Sequence, residues 1–140
     1  MQLDWITEIG VPAPPARILV VEDYVPLVLT LRQRLESAGY AVDAVVGFRS
    51  LTPEESVGLW ANRDVPIHLA RYDVAFLDFY LLGNFRGIDV LRALLGAGPA
   101  RCIGISSSQR ANDEMIAAGA FRAIRKPDFI ARIERDGPSF

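Results

Sequence analysis

Two apolar runs in this chain end in carboxylates: Ile18-Leu19-Val20-Val21 leads into Glu22 and Asp23, and Val74-Ala75-Phe76-Leu77 leads into Asp78. Uninterrupted apolar runs of this length are the pattern of strands buried on both faces of a parallel sheet. Ligands of open parallel α/β sheets bind beyond the carboxyl ends of the strands, so the three acids are expected to converge on one crevice. Carboxylates a few ångströms apart raise one another's pKa unless a cation neutralises them. An all-oxygen cluster suits a hard ion, Mg2+ first, with Mn2+ as the other ion it would admit. Two more polar residues stand at strand ends, Ser106 after Cys102-Ile103-Gly104-Ile105 and Lys126 after Phe121-Arg122-Ala123-Ile124-Arg125.

Between these strands the periodicity changes to that of helices. In residues 25–38, Val28, Leu31 and Leu35 form one stripe, with Pro26 near the start and Gly39 as a left-handed stop. Residues 41–46 read as a second strand, and 87–95, 111–118 and 128–134 as further helices. The alternation predicts an α/β fold: a flavodoxin-like, doubly wound, five-stranded parallel sheet of order 2-1-3-4-5. That order makes the strands bearing Glu22, Asp23 and Asp78 neighbours at the topological switch point. The segment between strands two and three, residues 47–71, is enlarged. Thr52 before Pro53-Glu54-Glu55 and Asp64 before Pro66 read as caps of two helices there. Leu59, Trp60, Ile67 and Leu69 would cover an extended core edge, with a partner surface as the second use of the segment.

Acid pair, single Asp, hydroxyl and Lys-Pro, in that order and each after an apolar strand, resembles the receiver domain of two-component response regulators. The stretches that carry the resemblance are Ile18-Leu19-Val20-Val21-Glu22-Asp23, Asp73-Val74-Ala75-Phe76-Leu77-Asp78, Gly87-Ile88-Asp89-Val90-Leu91, Ala118-Gly119-Ala120 and Lys126-Pro127. It implies a receiver domain over residues 17–136, an N-terminal extension over 1–16, a tail over 137–140 and no effector domain, hence a stand-alone, single-domain receiver.

In this reading Asp78 is the phosphoacceptor, since a carboxylate can take a phosphoryl group when position and charge are arranged for it. Glu22, Asp23 and Asp78 would hold Mg2+, and the resemblance adds the backbone carbonyl of Tyr80 as a ligand. Lys126 would give a cationic contact to Asp78 or its phosphoryl group, and Ser106 a hydroxyl to a phosphoryl oxygen. The bulky Tyr80 ring is expected to shield the acyl phosphate. The implied partners are a histidine kinase or a histidine phosphotransfer protein and a downstream protein target. Ala123 stands three residues before Lys126, where many receivers carry an aromatic that turns inward on activation, so that lever is missing. His68 has no companion at metal spacing and reads as structural or exposed.

Composition narrows the alternatives. The 140 residues are 51% hydrophobic with a net charge of -2, which suits one domain with a real core and gives no nucleic-acid signature. The single cysteine, Cys102, excludes an internal disulfide and fits a reducing, cytoplasmic setting. No apolar stretch reaches membrane-spanning length. Two other functions compete with this one. A phosphorylation-independent adaptor would keep the fold without the switch. A phosphohydrolase would need an acid where Tyr80 stands, so Mg2+-dependent self-phosphorylation is expected without turnover of an external substrate. At the N-terminus, Leu3, Trp5, Ile6 and Ile9 are expected to dock on the domain or on a symmetry mate.

Overall fold

The computed structural model describes residues 4–135. Leu3 and the 137–140 tail lie outside the described residues. Five parallel strands form the central sheet: β1 (Arg17–Val21), β2 (Ala41–Val45), β6 (Val74–Asp78), β8 (Arg101–Ser106) and β9 (Arg122–Arg125). Their order is β2-β1-β6-β8-β9, the expected 2-1-3-4-5 arrangement. Register aligns the carboxyl ends. Val21 pairs with Val45 on one side and with Leu77 on the other, so Glu22 stands level with Asp78. Asp78 pairs with Ile105, and Ser106 with Arg125, one residue before Lys126.

The inner strands β1, β6 and β8 are buried on both faces because each face has its own cover. On one, Ile18, Val20, Phe76, Ile103 and Ile105 meet α2 (Val25–Ser37) through Leu27, Val28, Leu31 and Leu35, and α5 (Lys126–Arg135) through Phe129 and Ile133. The short helix α1 (Asp4–Glu8) completes that layer. Trp5 is fully buried, with its ring edge-on to Phe129 at 5.6 Å and 6.3 Å from Phe76. The N-terminal segment therefore docks on its own domain through Trp5, Ile6 and Ile9. On the opposite face, Leu19, Val21, Ala75, Leu77 and Cys102 meet α3 (Gly87–Ala97) and α4 (Gln109–Ala117). Burial pushes the Cys102 thiol up to about 12, so this cysteine is a small apolar filler.

Residues 47–71 depart from expectation. In place of two helices they form β3 (Gly47–Ser50), β4 (Ser56–Trp60) and β5 (Arg63–Ile67), followed by a 3-10 turn over Leu69–Arg71. With β7 (Leu82–Gly83) they make a second sheet of order β5-β4-β3-β7. Thr52 does accept the Glu55 N–H at 3.0 Å, as a helix cap would. Ser56 then turns its hydroxyl back onto the Thr52 carbonyl and the chain leaves as a strand. Asp64 caps nothing; it pairs with Arg49 at 2.8 Å. Ala61 and Asn62, with φ of 52° and 61°, form the two-residue turn that joins β4 to β5 in left-handed geometry. Phe48, Ile67, Leu69 and Tyr72 join the core beside Leu19 and Leu77, so this sheet covers a face that helices were expected to cover.

Candidate functional site

The register places one carboxylate from Glu22, Asp23 and Asp78 each within 4.8 Å of the others. Glu22 and Asp78 are 3% and 4% exposed, and Asp23 is half-buried at the mouth. Lys126, the first residue of α5, reaches into this cluster. Its Nζ lies 2.8 Å from Glu22 Oε1 and donates to Asp78 Oδ2 at 3.1 Å. The Tyr24 N–H caps Glu22 Oε2 at 3.1 Å. One ammonium therefore contacts two acids of a cluster of three.

The electrostatics follow from that imbalance. Burial, then the neighbouring Asp78, raise the Glu22 carboxyl above its ordinary value, against the lowering pull of Lys126. Asp23 is raised by burial and then by Glu22. For Lys126, burial lowers the ammonium, but its contact with Glu22 and the charges of Asp78 and Glu22 outweigh it and hold the group above its ordinary value. The Lys126 ammonium, 2.8 Å away, is the cation that Glu22 Oε1 meets. Three carboxylates within 4.8 Å of one another, two of them buried and with one ammonium among them, fit a hard divalent cation and fit a neutral ligand poorly.

Backbone constraints set Asp78 in place. Gly87 opens α3 so close to the strand end that a Cβ there would lie 2.0 Å from the Asp78 carbonyl oxygen. Its N–H donates to the Phe79 carbonyl at 2.8 Å. Ser106 lies on the same rim and is buried, but its hydroxyl accepts the Ser108 N–H at 3.2 Å; among the described residues no hydrogen bond joins it to Asp78. The Tyr80 ring is 59% exposed and rests edge-on against the buried Phe79. Four of the residues singled out from sequence thus meet directly, while Ser106 and Tyr80 stand around them. Sequence reasoning missed the Tyr24 N–H, a backbone group that no side-chain pattern betrays. It also missed the pairing of β7 with β3, which ties the loop after Asp78 to the second sheet.

No protein-family model and no curated protein sequence matches this chain. Solved structures do. A response regulator protein from Burkholderia pseudomallei, with a phosphorylated aspartic acid, calcium ion and citrate, superposes with a TM-score of 0.60 at 20% identity, over 84% of this chain and 66% of that one. A CheY-like receiver domain protein from Methanospirillum hungatei gives 0.59 at 20% identity, over 86% and 92%. The BeF3-activated receiver domain of DrrB, a Thermotoga maritima protein, gives 0.60 at 16% identity, over 86% and 96%. The fold of this chain is that of CheY-like response regulator receiver domains.

Proposed function

We infer that this chain is a phosphoacceptor receiver of two-component signalling, spanning residues 17–136, with Asp78 as the acceptor. The observation that supports it most is the gathering of Glu22, Asp23 and Asp78 within 4.8 Å of one another, with the Lys126 ammonium on Glu22 and Asp78, at the rim of a receiver fold. An Asp78 oxygen forms a bond to phosphorus as the bond between phosphorus and the donor's imidazole nitrogen breaks, the nitrogen keeping the electron pair. Lys126 steadies the attacking carboxylate and the incoming phosphoryl oxygens. Glu22, Asp23, Asp78 and the Tyr80 carbonyl would hold Mg2+, or Mn2+, whose charge offsets the meeting of anion with anion. Ser106 would turn its hydroxyl from Ser108 to a phosphoryl oxygen.

The phosphorylated aspartic acid and the calcium ion of the Burkholderia pseudomallei structure accord with this chemistry. The donor would be a histidine kinase or a histidine phosphotransfer protein in the cytoplasm, and the output a change in protein contacts rather than turnover of a substrate. A phosphorylation-independent adaptor is disfavoured on energetic grounds. Burying three acids against one lysine destabilises the fold, and a scaffold gains nothing from it. The test is to mix the protein with Mg2+ and acetyl phosphate and weigh it intact. A gain of one phosphoryl group that disappears in Asp78→Asn is expected; no gain with either Mg2+ or Mn2+ sinks the reading.

A further inference from the structure

The second sheet touches both segments that carry the acids. On one side, β2 leads through a single bend residue, Val46, into β3, and the Val45 carbonyl accepts the Glu22 N–H at 3.1 Å. On the other, β3 pairs in parallel with β7, Gly47 with Leu82 and Phe48 with Gly83, only four and five residues beyond Asp78. The seam is close. A Cβ at Gly47 would lie 2.1 Å from the Leu82 carbonyl oxygen, and Gly83 holds φ of +93° with its Cβ position 3.0 Å from the Phe48 carbonyl oxygen. The loop after Asp78 is thus pinned at its start by Gly87 and farther along by β3, leaving Tyr80 and Leu81 as the span between the pins. Phe48 itself is fully buried beside Leu77 and Phe79. Any displacement of residues 79–81 that accompanies new charge at Asp78 must load the β3–β7 seam, because close-packed elements transmit strain.

We propose that the β3–β4–β5 sheet is the element that reads Asp78: phosphoryl uptake there and order in this sheet are one coupled equilibrium, transmitted through the β3–β7 seam. The proposal rests on Asp78 being the acceptor. Coupling is reciprocal, so loosening the seam also weakens retention of the phosphoryl state. A bound charge that anchors residues 79–81 removes freedom from β7, and through it from β3 and from the hairpin of β4 and β5.

Amide hydrogen exchange read by mass spectrometry on the full chain, with Mg2+ and acetyl phosphate, tests this while intact mass reports the phosphoryl group in the same sample. The expected result is a gain of one phosphoryl group with exchange across residues 47–67 slowed on the order of fivefold or more. In Gly47→Val, and in the milder Gly83→Ala, the phosphoryl group should still be gained but the slowing across 56–67 lost, with wild-type exchange in β1, β6 and β8 showing that the fold is kept. A phosphoryl gain with unchanged exchange over 47–67 in the wild type overturns the coupling and leaves the acceptor assignment standing. Equal slowing in both variants does the same. No phosphoryl gain in the wild type removes the acceptor assignment and the coupling together.

Discussion

The parallel sheet and the second sheet border the same loop after Asp78, yet different physics selects them. Each inner strand of the parallel sheet is buried on both faces, so its sequence is an apolar run whose end is marked by the first polar residue. β3, β4 and β5 are only partly buried, and Gly47, Gly58 and Pro66 interrupt their apolar pattern. Those interruptions are what the packing requires. A Cβ at Gly58 would meet Val45 Cγ1 at 2.4 Å, and Pro66 sits on the edge strand, where a missing N–H is tolerated. The first sheet is specified by how much apolar surface each residue brings, the second by how closely its backbone can approach a neighbour.

Four measurements would break or sharpen that contrast. The largest effect is expected from Phe76→Ala, which empties the fully buried ring cluster with Trp5 and Phe129 and should lower stability by about 3–5 kcal/mol in urea unfolding. Phe48→Ala should match it and lower the same single transition, because Phe48 shares its cluster with Leu19 and Leu77. A separate early transition confined to β3–β5 would show instead that the second sheet is an independent module. Next, Lys126→Ala leaves Glu22 and Asp78 buried without their cation and should cost about 3 kcal/mol. Denaturation with and without Mg2+ should show part of that loss restored by the metal; no restoration would speak against a cation site among these acids.

A smaller effect follows from pH. Glu22 and Asp23 have raised pKa values in the fold, so the folded state binds more protons than the unfolded chain between the two sets of values. Their contribution to stability therefore falls as pH rises from the ordinary carboxylate range through the raised values, and is most unfavourable above them. Lys126, raised as well, contributes stability that is fully present below its ordinary value and is lost only as pH rises through the raised one. Stabilisation by Mg2+ should hence grow from weakly acidic to neutral pH, as thermal unfolding at several pH values would reveal. A Mg2+ effect independent of pH would detach the metal from these carboxylates. The smallest change is Ser108→Ala, which removes the hydroxyl that accepts the Ala111 N–H at the start of α4 and should cost about 1 kcal/mol in urea unfolding, with no effect on the second sheet.

The residues explain what could be read in advance. Gly39 and Gly119 stop α2 and α4 in left-handed geometry, with φ of +102° and +113°, as glycines after periodic stretches suggest. Glu22, Asp23 and Asp78 were legible because a polar residue after a doubly buried strand has few other places to go; Lys126, after the edge strand β9, was legible from its place in the ordered set with them. The helices expected at Thr52 and Asp64 were misread for a physical reason. The Thr52 hydrogen bond to Glu55 is the same in a helix cap and in a turn, and only what Ser56 does next tells them apart. Alternation in Ser56-Val57-Gly58-Leu59-Trp60 was the available strand signal, with Ala61–Asn62 as a turn whose first residue is an unusual choice for positive φ.

Read alone, the chain determined the five parallel strands, their order and the four charged groups at their ends, most plainly for the inner strands, where burial on two faces leaves a composition that is visible one residue at a time. Only the tertiary structure decided that the Tyr24 N–H caps Glu22, that Lys126 serves two buried acids at once, and that β3 closes on β7. Those are contacts that involve a backbone group or residues far apart in sequence. Their energies depend on distance and on removal from water, neither of which is encoded in local pattern.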